Sequence, residues 1–152
     1  MSSDQQFLEA FHIGEKGEAA GVIKGKVKNL YTEVPFDFLS NWIWRDELDE
    51  TLRFHGTMPD PLVPGRSWLV GLRLSSKSEP SGEFQFGDPR IVYLNLITFT
   101  DSGSKLEFPA ASGGVILQHH PDNHINGKLE FRTEKRGFDS FDVDVTFAIG
   151  RF

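Results

Sequence analysis

Alternation of apolar and polar residues with a period of two is the feature that constrains this chain most. It is clearest near the C-terminus, where Phe141, Val143, Val145, Phe147 and Ile149 are separated by Asp142, Asp144, Thr146 and Ala148. Successive side chains of an extended strand point to opposite faces, so such a run buries one face and wets the other. The pattern recurs down most of the chain between clusters of Gly, Pro, Asp and Ser, which predicts an all-β domain of about ten strands. They fall near residues 20–28, 36–45, 51–58, 68–75, 83–87, 91–100, 105–108, 114–119, 128–134 and 139–150. Uneven strand lengths and the Pro and Gly punctuation favour an antiparallel β-sandwich or jelly roll, with a closed calycin-like β-barrel as the alternative.

One domain spanning 1–152 is expected, because a chain of this length buries enough surface to fold alone. The 14 Phe, 3 Trp and 2 Tyr point to aromatic side chains packed between strands. The segment richest in Pro and Gly, Asp60-Pro61-Leu62-Val63-Pro64-Gly65-Arg66, has strands on both sides and reads as a loop within the domain. Ile91 to Ile97 is apolar on both faces, which suits a central strand covered on both sides or one that meets a partner. At the N-terminus, Ser3 and Gln6 form a capping box before Phe7, Leu8 and Phe11, although the same residues also suit a strand.

Two hairpins can be specified. Leu129, Phe131 and Thr133 share parity with Phe141, Val143 and Val145, and placing Phe131 opposite Phe141 leaves Lys135-Arg136-Gly137 as a three-residue loop. That register also sets Lys128 opposite Asp144 and Glu130 opposite Asp142. A second ribbon from Phe36 to Met58 has Phe36, Phe38, Trp42, Trp44, Leu52, Phe54 and Met58 on one face if its tip is Asp46 to Glu50. Asp37, Asn41, Arg45, Arg53 and His55 then take the other face.

Candidate binding residues follow from the same ribbon. Trp42 and Trp44, two residues apart, would give a sugar ring a stacking surface with Arg45 or Asp46 nearby, but their parity with the apolar face favours core packing. Trp68 heads the strand of Val70, Leu72 and Leu74 and takes the same reading. His119, His120, Asp122 and His124 are ligand types for a divalent metal. Their spacing opposes that role: adjacent strand residues diverge, and Pro121, Asp122 and Asn123 are turn formers. Neither G-x-S-x-G, a P-loop, a dinucleotide fingerprint nor an EF-hand loop occurs. No cofactor is therefore expected, and a divalent metal is the alternative.

A formal net charge of -6 opposes binding to nucleic acid or to anionic lipid. An outer-membrane strand ending in Phe152 fails on phase, because the residues in step with it include Asp142 and Asp144. The absence of cysteine does not distinguish compartments. Without a basic, then apolar, leader or an apolar run long enough to span a membrane, the expected compartment is the cytoplasm, with signal-less export as the alternative. The leading functional expectation is a non-enzymatic module that binds a protein, a glycan or a small apolar molecule. A metal-dependent enzyme built on the His119 to His124 segment, and a ligand-free subunit of a homo-oligomer, are the alternatives.

Overall fold

The computed structural model describes residues 19–150, which form ten strands. These are β1 (Gly21–Asn29), β2 (Pro35–Leu39), β3 (Trp42–Asp46), β4 (Leu52–Pro59), β5 (Arg66–Leu74), β6 (Gly82–Gln85), β7 (Ile91–Thr100), β8 (Lys105–His119), β9 (Ile125–Thr133) and β10 (Phe141–Ile149). Every pairing is antiparallel, in the order β2-β1-β10-β9-β8-β7-β5-β4-β3, with β6 beside β8. The sheet curls into a half-barrel whose inner face carries the apolar members of each alternating run, among them Ile23, Val27, Phe54, Leu72, Leu96, Phe108 and Val145. The helix or strand considered for Ser3 to Gly14, and Phe152, lie outside the described residues.

The alternation located the strands and misjudged two of them. Residues 105–108 and 114–119 belong to one strand, β8, which pairs with β7 through Lys105 to Phe108 and Pro109, and with β6 through Gly114 to Leu117. A register shift between Ala110 and Ser112 absorbs the residues that break the alternation, as β-bulges do. Gly113 completes the bend at φ 118°, where an added Cβ would lie 2.2 Å from the Glu130 carbonyl oxygen. Only glycine fits there.

The run 36–45 is two strands rather than one. β2 pairs with β1, and β3 pairs with β4, at opposite ends of the strand order. The chain crosses between them at Ser40 and Asn41, whose N–H groups donate to Ile23 O at 2.9 Å and Thr57 O at 2.8 Å. Parity changes at this crossing. Phe38 faces the core on β2, but on β3 the inward residues are Ile43 and Arg45, in register with Gly56 and Phe54. Trp42 and Trp44 therefore share the outer face with Thr57 and His55, and not the face of Leu52 and Phe54 that the sequence predicts. Trp44 is nonetheless buried there at 6% exposure, as core packing requires, while Trp42 is 37% exposed.

In the C-terminal hairpin Phe131 pairs with Val143 rather than Phe141. The two-residue slip keeps every apolar side chain on the same face, so the hydrophobic pattern cannot detect it. Charge distinguishes the registers: Arg132 now sits opposite Asp142 with bonds of 2.8 and 3.1 Å, and Lys128 lies between Glu130 and Asp144 at 3.3 and 3.4 Å. Thr133 Oγ1 accepts the Phe141 N–H at 3.0 Å where the ladder stops. Beyond it the turn is Arg136-Gly137-Phe138-Asp139, closed by Arg136 N–H to Asp139 O at 2.8 Å and the reciprocal bond at 3.0 Å. Gly137 has φ 61° and open space around it. Gly137→Val is thus expected to lose about 1–3 kcal/mol through backbone strain alone, read as a lower urea midpoint at an unchanged m-value. A change below a few tenths would reject the strained turn.

Candidate functional site

Antiparallel order sends the β1–β2, β4–β5, β7–β8 and β9–β10 connections to one end of the half-barrel. Between them is a cavity of about 190 Å³. Its floor is a chain of touching rings: Phe36 to Trp68 at 5.4 Å, Trp68 to Phe141 at 5.3 Å and Phe141 to Phe108 at 4.9 Å between centroids. Each ring heads or ends an inward-facing run, so the core pattern that builds the fold also paves the cavity. Val34, Leu62 and Leu106 line its exposed margin. On the β1–β2 and β9–β10 turns, Tyr31 and Phe138 stack at 5.3 Å while 65% and 71% exposed.

Asp60 organises the polar side of this mouth. Its Oδ1 accepts the N–H groups of Leu62 and Val63 at 2.7 and 3.1 Å, the turn geometry that Asp before Pro favours. Its Oδ2 accepts Arg66 Nε and Trp68 Nε1, each at 2.8 Å. Burial would raise the Asp60 pKa, but the Leu62 N–H, Arg66 and Trp68 outweigh it and hold the carboxyl below the ordinary range. Asp60 is an ionised, saturated anchor that fixes the Trp68 indole and the Arg66 guanidinium, which lies 5.4 Å from that indole's centroid.

The opposite end is blocked by Arg45, fully buried among inward-facing residues. Nη1 donates to Asn123 O at 2.7 Å and Gly150 O at 2.9 Å, and Nη2 to Asn123 Oδ1 at 3.2 Å. One guanidinium thereby ties β3 to the β8–β9 turn and to the end of β10. Desolvation lowers its pKa, with Glu47 opposing. The histidine segment forms that turn. His119 contacts Glu79 O through Nδ1 and Asn123 Oδ1 through Nε2, both at 2.8 Å. His120 Nε2 meets Asn126 Oδ1 at 2.5 Å, and His124 Nδ1 lies 2.9 Å from Asp122 Oδ2. The imidazoles thus have separate partners, and among the described residues no three His, Asp or Glu side chains are placed to share an ion.

A further polar group occupies the outer face. His55 Nε2 lies 2.9 Å from the Tyr93 hydroxyl, and Asp46 is bound by both Arg53 and the Trp44 indole. Desolvation pushes the His55 imidazole well below its usual pKa, with Arg53 adding and Asp46 opposing. Gly71 makes room for it, since a Cβ there would come within 2.4 Å of His55 Cδ2. At 1% exposure this neutral imidazole is withheld from solvent. Trp42 and Trp44 meet edge to face at 85°, so their rings do not form one flat surface.

Of the sequence-derived candidates, only Trp68 lies in the mouth; Arg45 lies at the closed end, and Trp42 and Trp44 on the outer face. Asp60, Phe36, Phe108, Phe141 and Asp139 were not marked as binding residues by the sequence, which placed Phe36 and Phe141 only on apolar strand faces. The one available signal was Asp60 before Pro61, two residues short of Leu62 in the Pro- and Gly-rich loop. Comparison with protein-family models, with curated proteins and with solved structures returned no match. No helix among the described residues is long and apolar enough to cross a membrane.

Proposed function

We propose that the protein is a binding module that receives one small apolar or aromatic group in the cavity at the open end of its half-barrel. The observation that carries this reading is the aromatic floor of Phe36, Trp68, Phe108 and Phe141 beneath a cavity of about 190 Å³. A dry apolar cavity of ~150 Å³ takes up benzene, so the space suits one ring or a short branched chain. Concave, mainly apolar sites with a few fixed polar groups are the usual form of a ligand pocket, and barrel mouths are a common place for them. Between the sandwich and the barrel expected from the sequence, we favour a barrel-like cup. Supporting it, the end strands β2 and β3 are consecutive in the chain, and Ala19 N–H donates to Ile43 O at 3.1 Å across the gap between the β1 and β3 ends.

Titration of ¹⁵N-labelled protein with toluene and with indole tests the reading. Saturable shifts are expected in the Trp68 indole N–H and in the backbone amides of Phe36, Phe108 and Phe141, together with quenching of Trp68 emission. Shifts confined to the outer face around Trp42, or none up to the solubility limit of both probes, would overturn it.

A further inference from the structure

Resting on the reading that the mouth cavity is the binding site, we infer that its ligand is a small amine with an apolar or aromatic body, held as the ammonium. The lining contains three charged residues, Asp60, Arg66 and Asp139. Asp60 and Arg66 compensate one another at 2.7 Å, and both Asp60 oxygens are already occupied by N–H donors. Arg66 is turned to that carboxylate through Nε and Nη2 and lies 5.4 Å from the Trp68 centroid, so the buried Asp60 neutralises its charge while about a third of its side chain stays open to solvent at 36% exposure.

Asp139 is placed differently. Its Oδ1 accepts from the neutral amide of Asn29 at 3.1 Å, and among the described residues no cation pairs with it. The cavity therefore combines one uncompensated carboxylate with the π faces of its aromatic floor. Ring faces attract cations and repel anions, and an ammonium–carboxylate bond is charge-assisted. Both features select the same sign of charge. A neutral hydrocarbon would fill the floor while leaving Asp139 with Asn29 and no cation, and a carboxylate ligand would meet it as a like charge. The net charge of -6 adds long-range attraction for a cation.

The test is calorimetric and NMR titration with four ligands of similar shape: benzylamine, benzyl alcohol, toluene and benzoate, at neutral pH and low salt. Benzylamine is expected to bind about tenfold more tightly than benzyl alcohol, from a cation–π contact together with a charge-assisted bond, and benzoate the weakest. Asp139→Asn keeps an acceptor for Asn29 and should bring benzylamine down to the level of benzyl alcohol. Equal affinity for benzylamine, benzyl alcohol and toluene would overturn the amine inference and leave the cavity reading standing. Tightest binding of benzoate would make Arg66 the polar partner and overturn it likewise, as would an amine preference that survives Asp139→Asn. Failure of all four ligands to bind would overturn both readings.

Discussion

Arg45→Ala is expected to destabilise the protein by about 3 kcal/mol, since two part-buried carbonyls would each lose a charged donor at roughly 1–3 kcal/mol apiece. Those carbonyls belong to Asn123 and Gly150, on elements that share no strand pairing with β3. Arg45→Met separates the contributions. It refills most of the volume and removes the cost of desolvating a guanidinium, which a well-packed apolar residue can match when no polar partner is left behind. Here three oxygens are left behind, so Met should recover only the packing part of the loss. Urea unfolding gives the magnitude, and hydrogen exchange gives the place: faster exchange should appear first at the β8–β9 turn and the end of β10. A loss below 1 kcal/mol in both variants would remove Arg45 from its role as the closure of that end.

Trp68→Ala should cost about 3–5 kcal/mol, the usual range for deleting a large core aromatic. The side chain is 4% exposed, contacts Phe36 and Phe141, and donates to the buried Asp60 carboxylate. The same change removes the middle of the cavity floor, so uptake of toluene or indole should be lost with the stability. Trp68→Phe is the informative companion. It retains a ring for the ligand but deprives Asp60 of a donor, for an expected loss of about 1–2 kcal/mol with binding largely kept. If Trp68→Ala unfolds at the wild-type urea concentration, Trp68 is not the packing centre of the open end. Trp42→Ala is expected to fall below that range, because at 37% exposure on the outer face Trp42 buries too little for a core-sized effect.

The strand content was legible because the side-chain period of an extended chain is two, and sequence alternation reports it directly. Ile91–Thr100 emerged with the predicted limits, and its doubly apolar character matches a strand flanked by β5 and β8 that buries Leu96 inward and Ile97 outward. Parity is silent on two matters, and both failures lie there. A slip of two residues preserves every facing, so Phe131 against Val143 or Phe141 was decided by Arg132 meeting Asp142 and by where the tight turn at Gly137 closed. A change of phase inside an apparently continuous run leaves no mark either, because Ser40 suits both faces; crossing from one sheet edge to the other turned Arg45 inward and both tryptophans outward.

By itself, then, the chain's pattern determined an antiparallel, aromatic-cored β fold and the inward face of nearly every strand. Strand order, the bend at Gly113 and the meeting of Phe36, Trp68, Phe108 and Phe141 were decided only in three dimensions. These residues stand up to 105 positions apart, Phe36 to Phe141 being 141 minus 36. Local propensity cannot encode such a meeting, whereas the pairing of β10 with β1, and of β1 with β2, carries Phe141 to the same end as Phe36.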